Sequence, residues 1–159
     1  YVSLYTRLHG LRSVSLRLAN IYGPRQRGDL EAGVVSIFAE CIMEGRPVTL
    51  FGEGKAARDY VYVADAVAAL RLAGERIEDG SVFNVGTGIA TEVEDVLRLI
   101  SKTLRCEPAR VERAPLRPSE IFRISLDPRR IKAATGWKSH FSLEAGIQAF
   151  TKWFLEKQS

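Results

Sequence analysis

The sequence predicts an α/β fold, though not a strictly regular doubly wound sheet. Three observations carry this expectation. Short β-rich apolar runs alternate with longer stretches of helical periodicity. Two of the apolar runs, Arg17-Leu18-Ala19-Asn20-Ile21-Tyr22 and Arg58-Asp59-Tyr60-Val61-Tyr62-Val63, carry polar or cationic groups at one end. Open α/β sheets bind ligands in the crevice outside the carboxyl ends of their strands. The runs at 47–51 and 59–63 have no helix between them, so a regular doubly wound sheet is not expected.

Taken in order, residues 1–9 read as a helix end, with Val2, Tyr5 and Leu8 at helical spacing and Gly10 as the left-handed stop. So short a helix is marginal alone, and its first turns are expected upstream of Tyr1. Residues 13–19 form a strand ended by Tyr22-Gly23-Pro24, and residues 25–32 an exposed polar loop. Val34, Val35, Phe38 and Ile42 place a helix over 34–44, stopped by Gly45. Strands follow at 47–51 and 59–63, divided by a Gly52-Glu53-Gly54 turn. An alanine-rich helix covers 64–75, with Asp65 near its start favouring the helix dipole.

Residues 81–85 read as a strand and Gly86-Thr87-Gly88 as a tight loop. Thr91 and Glu94 have capping-box spacing for a helix over 91–104. A strand is expected at 110–114. Asp127-Pro128 opens a helix with Pro at its first position and Gly136 as its stop, and Ser142 caps a last helix running to Leu155.

Composition narrows the function classes. The 159 residues suffice for one good core, with 46% hydrophobic and 26% charged residues. No apolar run approaches about 18 residues, so a membrane span is not expected. Two cysteines are too few for a disulfide framework, Cys41 lies in an apolar helical stretch, and a cytoplasmic setting fits. The net charge of +4 comes from singly scattered arginines. A nucleic-acid binder concentrates such charge along one face, whereas isolated arginines at loop ends suit a small dianion such as a pyrophosphate. The chain begins at Tyr1 and its sole methionine is Met43, so the sequence is expected to be part of something longer.

Several residues invite chemical roles. Gly86-Thr87-Gly88 lacks the third glycine of a dinucleotide fingerprint and reads as a strand-to-helix turn. Arg58 could clamp a phosphate through two parallel hydrogen bonds, worth about 1.5–3 kcal/mol. It could equally pair with Asp59 or stand as a surface charge. Arg117 has the same two readings, and Pro118 holds it extended. Asn20 lies just past an apolar strand, as a ligand contact or a turn former. His9 and His140 have no metal-like partners in sequence, and no Tyr-x-x-x-Lys occurs.

Beyond single residues, ordered motifs resemble the extended short-chain dehydrogenase/reductase family, on the branch of UDP-glucose 4-epimerases. They are RLANIYGPRQ at 17–26, EAGVVSIF at 31–38, RPVTLFGEG at 46–54 and RDYVYVAD at 58–65. FNVGTG at 83–88, RPSE at 117–120 and DPRRIKAATGWK at 127–138 complete the set. Leu18 replaces a usual aromatic, and Ser119 a more usual glycine.

The resemblance implies the C-terminal portion of such an enzyme: an incomplete Rossmann-type parallel sheet, reduced to strands near 13–19 and 81–85, plus a small α/β nucleotide-sugar-binding domain. It implies that Asn20 contacts the sugar-diphosphate and that Gly33, Val34 and Val35 begin a helix beside the nucleotide. Thr49, Leu50 and Phe51 would line the base pocket, Arg58 and Arg117 clasp the diphosphate, and Glu120 reach the ribose. Leu18 and Asn20 would touch NAD, which accepts and returns the sugar C4 hydride in such enzymes. The implied ligand is a UDP-sugar, and the parent protein a homodimer.

The family's Tyr–Lys pair and Gly-rich NAD loop have no counterpart here, so the chain alone is expected to be inactive and to self-associate through its open sheet edge. A 4,6-dehydratase, a UDP-glucuronate epimerase or decarboxylase, and a non-catalytic sensor of the same fold are the competing readings. A generic α/β domain is the remaining one.

Overall fold

A computed structural model describes residues 1–26 and 33–158. Its elements are α1 (Val2–His9), β1 (Ser13–Leu18), β2 (Asn20–Tyr22), α2 (Val34–Met43), β3 (Val48–Phe51), β4 (Ala57–Tyr62) and α3 (Val63–Arg76). They continue as β5 (Asp79–Val85), β6 (Ala90–Glu92), α4 (Val93–Leu104), β7 (Val111–Ala114), α5 (Arg129–Thr135) and α6 (Leu143–Gln158). Most of the polar loop expected at 25–32 lies outside the described residues. Among these, no helix is long and apolar enough to cross a membrane.

The strands form three small sheets rather than one. β1 runs parallel to β5, with Leu16 opposite Phe83 and Leu18 opposite Val85. The chain leaves this pair at Ala19, whose N–H still bonds to the Val85 carbonyl at 2.9 Å. It then enters a second sheet as β2, which lies parallel to β4, while β6 pairs antiparallel with the start of β4. β3 and β7 form a separate parallel pair. β3 and β4 do not pair with each other; no crossover helix joins them, and adjacent parallel strands need such a connection.

Two apolar clusters follow. One joins Ala69, Ala73, Phe83, Val85, Ile131 and Trp137 beneath the β1–β5 pair. The other joins Tyr22, Val35, Phe38, Leu50, Ile100, Ile147 and Phe150 between α2, β3, α4 and α6.

Local signals explain most element ends. Gly10 (φ 64) and Gly136 (φ 74) adopt the left-handed cap conformation that favours glycine. The Ser142 hydroxyl accepts the Ala145 N–H at 3.1 Å, capping α6. The Thr91 cap is corrected by the structure. Thr91 lies in β6 opposite Arg58, and the first amide of α4, Val93 N–H, bonds to the Ala56 carbonyl at 2.9 Å. A backbone partner from β4's approach thus replaces the side-chain cap. Pro128 stands one position earlier than expected, flanking α5, while Asp127 accepts the Arg129 N–H at 2.9 Å.

Two buried carboxylates tie loops to α3 and to β4. Asp65, in the first turn of α3, accepts from Ser139 Oγ and from the His140 and Phe141 amides at 2.9–3.1 Å. Asp59 points away from Arg58 and is 1% exposed. Its Oδ1 accepts Thr87 N–H at 2.9 Å and Thr87 Oγ1 at 2.6 Å, and its Oδ2 accepts Gly88 N–H at 3.0 Å and Leu126 N–H at 3.1 Å. The Gly86-Thr87-Gly88 loop therefore cradles an internal carboxylate.

Helix α6 packs with little tolerance. A Cβ added at Gly146 would stand 2.7 Å from Tyr22 Cζ. Gly146→Ala is expected to lower stability by about 1–3 kcal/mol in urea unfolding through overpacking. In an exposed helix the same change adds about 1 kcal/mol, so a rise in midpoint would contradict this close approach.

Candidate functional site

Beside the second apolar cluster lies a cavity of about 450 Å³. One stripe of α2 supplies Val34, Ile37, Phe38 and Cys41, at the i, i+3, i+4, i+7 spacing of a single helix face. Pro47, Val48, Thr49 and Phe51 come from β3 and its approach, Ala56, Arg58 and Tyr60 from β4 and its approach, and Asn20 from β2. Gly33, Val93, Arg117 and Glu120 complete the wall. Eight of the ten substrate-contact residues expected from the motifs thus face one space: Asn20, Gly33, Val34, Thr49, Phe51, Arg58, Arg117 and Glu120.

Three expected residues lie elsewhere. Val35 turns about 100° from Val34 around the helix and is buried with Ala39 and Ile42. Leu50 faces opposite to Thr49 and Phe51, as alternation along a strand requires, and packs in the core instead of walling the cavity. Leu18 is partly exposed at the carboxyl end of β1, outside the cavity.

The polar side of the cavity is preorganised. Arg58 Nη2 donates to Glu120 Oε1 at 3.0 Å, and Nη1 donates to the Ala57 carbonyl at 3.0 Å. Of the alternatives open to Arg58, the ion pair is with Glu120 rather than Asp59. The second Glu120 oxygen, Oε2, is buried without a partner. Arg117 lies over the Phe51 ring, its guanidinium carbon 3.9 Å from the centroid, an arrangement that holds a cation in place. The turn that presents both residues puts Ser119 at φ 65, a conformation easier for glycine.

Tyr60, two residues past Arg58, was not among the residues singled out from sequence. It is 6% exposed, its hydroxyl has no partner, and burial pushes that hydroxyl up to about 12, with Arg58 pulling the other way. Its i, i+2 relation to Arg58 was the available signal, because both then face one side of β4. An unfolded tyrosine ionises near pH 10. The unfolded chain therefore loses this proton first, and stability falls as pH rises from about 10 to about 12. Burial also raises the Tyr22 hydroxyl. In an ultraviolet titration, Tyr22 and Tyr60 are expected to ionise only as the fold is lost. All five tyrosines titrating near pH 10 in a folded chain would refute this.

Chemically, the cavity joins an apolar floor to two guanidiniums, a phenol, a carboxamide and a half-paired carboxylate. Such a set suits a ligand with a planar, partly apolar end, hydroxyls and a dianionic middle. Among the described residues no three His, Cys, Asp or Glu side chains gather as a metal site. Nor do they form a dinucleotide phosphate cradle, since the Thr87 and Gly88 amides are given to Asp59.

Comparison with known proteins gives the family of the chain. The model of the NAD dependent epimerase/dehydratase family matches residues 1–86. The chain belongs to this family. It is 37% identical over 157 residues to a UDP-glucose 4-epimerase of Mycolicibacterium smegmatis, covering 99% of this chain and 50% of that protein. The crystal structure of Thermotoga maritima UDP-glucose 4-epimerase with UDP-glucose superposes with a TM-score of 0.94 at 38% identity, covering 100% of this chain and 51% of that one. The Thermus thermophilus UDP-glucose 4-epimerase complex with NAD gives 0.89 at 39% identity, covering 98% of this chain and 50% of that one. The chain thus spans about half the length of the relatives it matches, and its fold is the Rossmann-type fold of this extended short-chain dehydrogenase/reductase family.

Proposed function

We propose that this chain is the nucleotide-sugar-binding part of an NAD-dependent nucleotide-sugar epimerase, with interconversion of UDP-glucose and UDP-galactose as the reaction of the whole protein. One observation carries the reading: Arg58, Arg117, the bare Tyr60 hydroxyl and the unpartnered Glu120 Oε2 converge on one cavity with an apolar floor. In this reading Arg58, Arg117 and Tyr60 hold the diphosphate and Glu120 Oε2 accepts from a ribose hydroxyl. Thr49, Phe51 and the α2 stripe enclose the base, and Asn20 sits where the sugar leaves the diphosphate.

Leu18 and Asn20, at the carboxyl ends of β1 and at β2, are the contacts this chain offers toward NAD. They do not build a dinucleotide site by themselves. The β1–β5 pair with its apolar cluster is read as the remnant of the cofactor sheet, and the cavity-bearing part as the substrate region. The proton-relay Tyr and Lys belong to the rest of a cytoplasmic, homodimeric whole protein, and the chain alone turns over no sugar.

Calorimetric titration of the folded chain with UDP tests the reading. Saturable one-to-one binding is expected. Heat no greater than dilution, from a chain shown to be folded, would overturn it.

A further inference from the structure

The apolar end of the cavity carries a thiol that nucleotide binding leaves unused. Cys41 shares the α2 face of Ile37 and Phe38 and forms part of the cavity wall, though only 5% exposed. Arg46, which is also ion-paired with Glu44, donates from Nη1 to the Cys41 sulfur at 3.4 Å, a hydrogen bond that favours the negative charge the sulfur develops when it attacks. An independent sign that this cavity takes a ligand is Tyr60, whose buried hydroxyl is unpartnered and close enough to Arg58 to feel its charge. The other thiol, Cys106, is exposed and lies outside the cavity wall.

Resting on the nucleotide-binding reading above, we propose that Cys41 is a thiol-modification site inside the binding cavity. It reacts with low-molecular-weight disulfides, and the resulting mixed disulfide closes the cavity to nucleotide. Cys41 gives up its proton, its sulfur attacks one sulfur of the reagent, and that disulfide bond breaks. The departing thiolate takes a proton, so one disulfide is exchanged for another with no further oxidant. Because the sulfur is shielded from bulk solvent, the reagent reaches it through the cavity. A bound nucleotide therefore protects it, and an adduct placed first excludes the nucleotide.

The test uses the Cys106→Ser variant, which leaves Cys41 as the one thiol, treated with 2-hydroxyethyl disulfide and followed by intact-mass spectrometry and UDP calorimetry. One adduct is expected, with UDP affinity reduced by about tenfold or more, full recovery on adding dithiothreitol, and slower adduct formation when UDP is present. An unchanged far-ultraviolet circular dichroism spectrum after modification accompanies these results. Three outcomes would overturn the inference: Cys41 unmodified while Cys106 of the parent chain reacts fully, an adduct that leaves UDP affinity intact, or affinity lost only through unfolding. UDP binding without an adduct defeats this inference alone. No UDP binding by the untreated folded chain defeats the nucleotide reading as well.

Discussion

Asp59→Ala is expected to lower the stability of the fold by about 4 kcal/mol, because three part-buried backbone amides lose a buried, charged acceptor and each such charge-assisted hydrogen bond contributes about 1.5–3 kcal/mol. The amides are those of Thr87, Gly88 and Leu126, and the Thr87 hydroxyl loses its partner too. For a domain whose whole stability is about 5–15 kcal/mol, this leaves a marginal fold. Gly86 packs directly on this carboxylate: a Cβ there would meet Asp59 Oδ2 at 2.5 Å. Asp59→Asn is expected to recover only part of the loss, because its NH₂ group would face amide donors. Urea midpoints decide the matter, and an Asp59→Ala midpoint equal to the parent's would show that the cradle contributes nothing. The effect extends to the cavity, because Asp59 anchors the strand from which Arg58 and Tyr60 project on the opposite face.

The Arg58→Ala, Arg117→Ala double variant is expected to abolish UDP binding within the calorimetric range while keeping the fold. A charge-assisted hydrogen bond contributes about 1.5–3 kcal/mol, so each arginine accounts for roughly tenfold or more in affinity. The two differ in how they are held. Arg58 is pinned by Glu120 and the Ala57 carbonyl, whereas Arg117 rests on the Phe51 ring. Arg117→Lys therefore keeps the charge but loses the planar stack and the two-pronged contact, and is expected to bind several-fold more weakly than the parent. UDP affinity unchanged in the folded double variant would remove the diphosphate assignment.

The elements that were legible in the sequence are those whose signal is local. Gly10, Gly45 and Gly136 end helices because they accept a left-handed backbone, and Val35, Phe38 and Ile42 recur at the spacing of one buried helical face. Thr91 was misread because its short-range capping pattern competes with pairing to Arg58, 33 positions away, which no local pattern displays. Val35 and Leu50 came into the expected site with their motif neighbours, yet alternation along β3 and rotation around α2 turn them into the core. Tyr60 was overlooked for a related reason. Its role depends on what its hydroxyl lacks, and only packing reveals a missing partner.

By itself, the sequence determined the α/β class, the order of the elements other than β2 and β6, the family and half of the residues that meet at the cavity. These rest on periodicity, turn chemistry and ordered motifs, all properties of short stretches of chain. Only the tertiary structure decided that the strands split into three sheets, that Arg58 pairs with Glu120, and that the glycine loop serves a buried carboxylate. Those outcomes join residues 28 to 67 positions apart in the chain. Which donor meets which acceptor across such spans is chosen by burial, where an unpaired polar group is costly.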